Sequence, residues 1–179
     1  MAATSQREWP SDWSGDGQYL LYTKQGPETG SDLWYLERSE DGGDWEPHPF
    51  LQERLAQAGP KFSPNGRYVA YMSAESGQRE VYVQPFPEGG RKVTVSNSGG
   101  TQVRWSPDGK ELFYVEVERL MAVVVSTEGK FSASPPAGLF KHWGLRRNSD
   151  LPTYDVSADG GGLSCQSRWA QRPLTQRSA

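Results

Sequence analysis

The sequence predicts an all-β fold, a partial β-propeller of about three four-stranded antiparallel blades plus the start of a fourth. Three observations carry that expectation. A turn phrase recurs four times, as "DWSGDG" from Asp12, "KFSPNG" from Lys61, "RWSPDG" from Arg104 and "YDVSADG" from Tyr154. The glycines that close the phrases, Gly17, Gly66, Gly109 and Gly160, are 49, 43 and 51 residues apart. A period of about 40–50 residues with strand-like content marks propeller blades. Gly and Pro together supply 33 of the 179 residues and aromatics 12%, which suits many short strands and turns rather than long helices.

Each phrase has a mechanical reading. Ser bonds the backbone, Pro presets φ, Asp tolerates the bridge region and Gly takes positive φ. Asn65 replaces Asp in the second copy, and Gly15 and Ala158 replace Pro in the first and fourth. A short segment such as "TQVRWS" precedes each turn as a first strand. Second strands follow as "QYLLYT", "RYVAYM" and "KELFYV", with Leu20, Val69 and Leu112 at one offset and Tyr22, Tyr71 and Tyr114 at another. Third strands read "DLWYLE", "EVYVQP" and "RLMAVVV"; fourth strands read "HPFLQ", "KVTVSN" and "GLFKH". "FLQERLAQAG" from Phe50 is the best short helix candidate, read as a loop between blades with one helical turn.

This gives a disordered segment over 1–8, propeller blades over 9–162 and an irregular tail over 163–179. The tail, "LSCQSRWAQRPLTQRSA", loses both repeat and alternation, as a shifted reading frame would produce. A blade with two apolar faces must stack on neighbours. An incomplete wheel should therefore leave open faces lined by residues such as Leu20, Tyr22, Val69, Tyr71, Leu112 and Tyr114. Self-association through those faces is expected.

Bulk properties narrow the function. Net charge is −3 with no basic stripe, which argues against nucleic acid. No run approaches the ~18 apolar residues of a membrane span, and the first ten residues carry no apolar signal core. The chain as written is therefore expected in the cytoplasm, without membrane insertion. Cys165 is the lone cysteine, so no internal disulfide forms.

The motifs Trp13–Gly17, Phe62–Gly66 and Trp105–Gly109 resemble the TolB-type propeller repeat, a bacterial relative of WD-repeat propellers. The phrases "SDWSGDGQYLLYT", "KFSPNGRYVAYMSAESGQREVYVQPFP" and "GGTQVRWSPDGKELFYV" are similar to the closing blades of the C-terminal propeller on bacterial membrane-anchored serine/threonine kinases. The resemblance spans Trp9 to Gly160. It implies a non-catalytic sensor or binding module that takes a protein or peptide partner, in an extracytoplasmic parent domain. A TolB-like envelope component and the substrate-gating propeller of a prolyl-oligopeptidase-like hydrolase are the alternatives.

No catalytic set emerges. There is no Gly-x-Ser-x-Gly elbow, and His48 and His142 lack a positioned partner in the sequence. Glu40, Asp41, Asp44 and Glu46 form an acidic cluster that does not fit an EF-hand loop and reads as a hairpin turn. No cofactor or metal is expected. Asp16, Asp108 and Asp159 recur in every copy but one, so they serve the blade rather than one ligand. Trp13 and Trp105 recur in phase and are expected between blades. Trp34, Trp45 and Trp143 do not recur and are the candidate partner anchors.

Overall fold

The computed structural model describes residues 7–26, 29–141, 145, 153–158, 162–165 and 171–173. Blade 1 comprises β1 (Glu8–Trp13), β2 (Tyr19–Gly26), β3 (Gly30–Arg38) and β4 (Trp45–Leu51). Blade 2 comprises β5 (Gln57–Phe62), β6 (Tyr68–Ser73), β7 (Glu80–Pro85) and β8 (Val93–Thr94). Blade 3 comprises β9 (Thr101–Trp105), β10 (Glu111–Glu116) and β11 (Arg119–Ser126), with β12 (Ser132–Ala133) and β13 (Ala137–Lys141) sharing the outer edge of β11. Pro135 and Pro136 explain that divided strand, because proline cannot donate to the ladder. A fourth sheet comprises β14 (Tyr154–Val156), β15 (Gly162–Cys165) and β16 (Gln171–Pro173). All pairing is antiparallel and follows chain order apart from β13, which pairs with β11. Among the described residues there is no helix.

The repeated turn is one hydrogen-bonded object. Ser14 Oγ donates to Asp16 Oδ1 at 2.5 Å and accepts from the Tyr19 N–H at 2.9 Å. Asp16 Oδ1 also accepts from the Gln18 N–H at 3.0 Å, and the Gly17 N–H closes on the Ser14 carbonyl at 2.9 Å. Ser63, Asn65 and Gly66 repeat these contacts, as do Ser106, Asp108 and Gly109. The three glycines have φ of 71°, 71° and 70°, the left-handed region that glycine enters without penalty. Asn65 has its own reason: its amide donates to Thr127 Oγ1 of blade 3 at 2.9 Å, which a carboxylate could not do. Asp159 and Gly160 lie outside the described residues.

The acidic cluster, read from the sequence as a hairpin turn, is a fifth copy of the same turn. Ser39-Glu40-Asp41-Gly42 joins β3 to β4 with the same bonds: Ser39 Oγ to Asp41 Oδ1 at 2.5 Å, and the Asp44 N–H to Ser39 Oγ at 3.0 Å. Gly42 has φ of 75°. The acidic cluster is thus a hairpin whose Asp41 is committed to the turn.

Packing runs from blade to blade. Each sheet has a leading face toward the preceding blade and a trailing face toward the next. Leu21 and Leu33 on the trailing face of blade 1 meet Phe62, Val69, Tyr71 and Tyr82 on the leading face of blade 2. Tyr68, Ala70, Val81 and Val83 trail blade 2 and meet Trp105, Leu112, Tyr114 and Val123 of blade 3. Phe113, Val115 and Leu120 then meet Tyr154 of the fourth sheet. Each large side chain so buried is worth about 2 kcal/mol.

Several expectations are corrected here. Val69, Tyr71, Leu112 and Tyr114 are fully buried rather than lining open faces, because blades 2 and 3 are covered by the blades before them. Tyr22 is also buried, and burial pushes its phenol pKa up to about 12. Trp13, expected between blades, is 55% exposed, because it holds the leading position of the first blade. No helical turn forms in "FLQERLAQAG": Leu51 pairs with Leu33 and Gln57 with Ser73, which draws both ends into strands. The first strand begins at Glu8, one residue earlier than the expected boundary. The backbone of 163–165 and 171–173 pairs into the fourth sheet, beyond the expected limit at 162.

Two outcomes follow. Gly109→Val should destabilise by more than about 1 kcal/mol, because a β-branched residue resists positive φ and its Cβ would sit 3.4 Å from Pro64 Cδ of blade 2. Gly109→Asn should cost less, as measured by urea denaturation; equal stability of the Val variant and the parent would contradict the turn geometry. Asp16 and Asp108 are held below the usual carboxylate range by the Ser14 and Ser106 hydroxyls first and by turn N–H groups second. A depressed folded-state pKa contributes stability above the unfolded value that is lost as pH falls below about 4. Replacing both with Asn, as in the second copy, should flatten the acid limb of the stability profile measured between neutral and acidic pH. An unchanged limb would show that these carboxylates are not the acid-sensitive groups.

Candidate functional site

The first strands β1, β5, β9 and β14 of successive sheets neighbour one another, so they form the inner wall. Residue pairs that hold this wall come from one position of the repeat, two before the turn serine: Asp12, Lys61, Arg104 and Asp155. All four copies place a charge there, in the order acid, base, base, acid. Lys61 Nζ donates to the Ser11 carbonyl at 2.5 Å and lies 3.4 Å from Asp12 Oδ1. Asp12 Oδ2 accepts from the Phe62 N–H at 2.9 Å. Arg104 Nε lies 3.6 Å from Asp155 Oδ1. Burial lowers the Lys61 pKa; Asp12 opposes that shift and Arg104 adds to it by like-charge repulsion. The sequence carries this signal at a repeat position that keeps a charge but not its sign.

Each of the first three inner strands also shifts register next to these charges, between Pro10 and Asp12, between Ala58 and Lys61, and between Arg104 and Thr101. Such bulges re-aim side chains and collect at barrel rims and sites. In β5 the shift uses Gly59 at φ 61°. In β9 the equivalent residue is Gln102 at φ 58°, a conformation that costs a non-glycine residue about 1–2 kcal/mol. Gln102 is held from the next sheet: its Oε1 accepts from the Thr153 N–H at 2.7 Å and Thr153 Oγ1 at 2.9 Å, and its carbonyl accepts from the Tyr154 hydroxyl at 2.8 Å. Trp105 Nε1 donates to the Lys61 carbonyl at 3.1 Å and fixes blade 3 to blade 2 at the same level.

A second surface is the leading face of blade 1. It brings together two of the predicted anchors, Trp34 and Trp45, with Trp13. Trp13 and Trp45 meet edge to face at 5.4 Å, and Tyr22 and Trp34 lie 6.5 Å apart. Lys24 sits 4.8 Å above the Trp34 ring, and Arg38 lies 5.8 Å from that of Trp45. Trp143 lies outside the described residues, as does His142.

Elsewhere the geometry is structural. His48 stacks on Tyr35 at 5.1 Å and its Nε2 lies 3.6 Å from Glu37 Oε2, and among the described residues no nucleophile is hydrogen-bonded to it. Lys92 ties Glu53, in the segment between blades 1 and 2, to Glu75 of blade 2, with Glu53 at 2.9 Å. Buried Glu80 accepts from Ser96 and from the Gly99 N–H at 3.0 Å, which holds the loop entering blade 3. Among the described residues no group of three metal-ligating side chains is gathered.

No family model matches the chain. The Tol-Pal system protein TolB of Pseudomonas aeruginosa is 35% identical over 65 residues, which is 36% of this chain and 15% of that protein. TolB from Acinetobacter baumannii superposes with a TM-score of 0.66 at 16% identity, over 92% of this chain and 38% of that one. A protein assigned as TolB from Agrobacterium tumefaciens gives 0.62 at 19% identity, over 88% and 57%. A prolyl endopeptidase gives 0.54 at 15% identity, over 88% and 25%. The fold is a TolB-like β-propeller, and the chain spans little more than half of these relatives or less.

Proposed function

We propose that the chain is a non-catalytic propeller module that binds a protein partner through its inner wall. The observation that carries this reading is the charged position repeated on all four inner strands. Lys61 and Arg104 stand next to each other on adjacent blades and repel. Among the described residues Arg104 meets one acid, the mostly exposed Asp155, at 3.6 Å through Nε, and its Nη1 donates to the Val103 carbonyl at 2.8 Å. A carboxylate-bearing peptide segment placed between the two cations relieves the repulsion and uses the planar guanidinium fork. Concave propeller mouths rimmed by loops suit such segments.

Two parents accommodate this module. A kinase-linked sensor is what the turn and strand phrases suggest, whereas the identity to TolB over 65 residues favours an envelope-complex component. An upstream kinase and membrane span in the gene would support the first. A signal peptide with a lipoprotein gene beside it would support the second.

Titrating the isotope-labelled chain with tetraglutamate and tetralysine tests the site. Tetraglutamate should shift amides around Gly59, Lys61 and Arg104, and the shifts should fall away in Lys61→Met and Arg104→Gln. No shift at about 1 mM, a free energy near −4 kcal/mol, or an equal response to tetralysine would overturn the reading. The purified chain should turn over no ester, peptide or phosphate substrate above background; turnover abolished by His48→Ala would make it an enzyme.

A further inference from the structure

Asn65-Gly66 is the one Asn-Gly step in the chain, and it stands where the first and third copies of the turn carry Asp16-Gly17 and Asp108-Gly109. Such a step can modify itself. The backbone nitrogen of Gly66 attacks Asn65 Cγ, the Cγ–Nδ2 bond breaks, and Nδ2 leaves as ammonia with the proton from Gly66. Water then opens the five-membered imide on either side of the ring nitrogen. Opening at Cγ gives aspartate; opening at the Asn65 backbone carbonyl gives isoaspartate, with the chain rerouted through Cβ and Cγ. Nothing is oxidised or reduced. Glycine puts no side chain in the way, and there is open space where its Cβ would stand. Asn65 itself is exposed to water.

The folded turn holds every reacting group. The Gly66 N–H is bonded to the Ser63 carbonyl at 2.8 Å. Asn65 Oδ1 accepts from Ser63 Oγ at 2.8 Å and from the Arg67 N–H at 3.2 Å. Nδ2, the leaving nitrogen, donates to Thr127 Oγ1 of blade 3 at 2.9 Å. The donors on Oδ1 polarise the carbonyl and favour attack. Position outweighs them, because a polarised carbon does not react until the nucleophile is brought to it, and this nucleophile is turned toward Ser63. The tether at Thr127 is in turn held by the seam between blades 2 and 3. Arg67 Nη1 reaches the Thr127 carbonyl at 3.5 Å, and the Tyr68 hydroxyl donates to the Gly129 carbonyl at 2.7 Å.

We propose that Asn65 is a self-modification site gated by the seam between blades 2 and 3: the closed seam keeps it asparagine, and opening converts it to aspartate or isoaspartate. The two products differ in fit. Aspartate suits the turn, since Asp16 and Asp108 accept the same serine and backbone bonds in the sister copies. Isoaspartate lengthens the backbone by one carbon and carries Gly66 away from the Ser63 carbonyl. Both lose the amide that donates to Thr127 and add a negative charge to a chain of net charge −3. Each conversion therefore loosens the seam permanently. The site lies on a turn rather than on the inner wall, so it stands or falls independently of peptide binding.

Peptide mapping by mass spectrometry, with electron-transfer fragmentation to separate isoaspartate from aspartate, tests the proposal on the full chain aged at mildly alkaline pH. Asn65 should convert in concentrated urea and at least about tenfold more slowly when folded, because the rate tracks the open fraction. Thr127→Val and Tyr68→Phe should each speed the folded reaction about threefold to tenfold, the effect of one lost hydrogen bond, and leave the rate in urea unchanged. Tyr68→Phe touches none of the reacting groups, so its effect reads the seam itself, and either variant suffices if the other misfolds. The isolated aspartate form should melt with Asn65→Asp, and the isoaspartate form below it. Equal rates in the folded chain and in urea, no conversion in urea, a folded rate that neither variant moves, or an isoaspartate form as stable as the aspartate form would overturn it.

Discussion

A β-sheet with two apolar faces is stable when both are covered, and the rest of this structure depends on that constraint. Blade 2 meets it fully: β6 is buried along its whole length and β7 nearly so. Blade 1 meets it on one face, which is why the same repeat position yields buried Phe62 and Trp105 but exposed Trp13. The turns and clasps serve this packing. Pro64 of the second turn lies against Gly109 of the third, so consecutive turns seat on each other. Asn65 reaches Thr127 and the Tyr68 hydroxyl reaches the Gly129 carbonyl, both across the seam between blades 2 and 3. Trp105 locks the seam from within.

The fold was legible because its signal is local and repeated. Ser-x-Asp-Gly fixes a turn from four residues, and the strands on either side alternate cleanly at Leu20–Tyr22, Val69–Tyr71 and Leu112–Tyr114. Val69–Tyr71 and Leu112–Tyr114 were placed on the right elements but on the wrong surface, because sequence shows which residues share a face and not whether a neighbour covers it. The hairpin turn at Ser39 was legible from its Asp-Gly, while its identity with the repeated turn was masked by Glu40, Asp44 and Glu46 around it. The outer strand of blade 3 was half legible, since Pro135 and Pro136 divide it into two pieces that no single alternation describes.

The inner wall was harder to see. Asp12, Lys61, Arg104 and Asp155 share a repeat position but not a sign, so they do not stand out as a conserved-looking letter. Their pairing needs the stacking geometry, which sets Asp12 beside Lys61 and Arg104 beside Asp155. Gln102 carries the same lesson. Nothing in "GGTQVRW" announces a positive φ, which is held by Thr153 and Tyr154 some fifty positions later. Residues whose conformation is set by another blade are beyond a reading of local pattern.

Native-state hydrogen exchange, taken residue by residue on the monomeric chain at low micromolar concentration, tests the claim that cover on both faces sets local stability. Protection tracks the free energy of local opening. Amides of β6 and β7 should exchange most slowly, those of β10 and β11 next, and those of β3 and β4 fastest among the paired strands of the three blades. Equal protection of blade 1 and blade 2 would contradict the account, because blade 1 would then owe its stability to something other than a neighbour on each face.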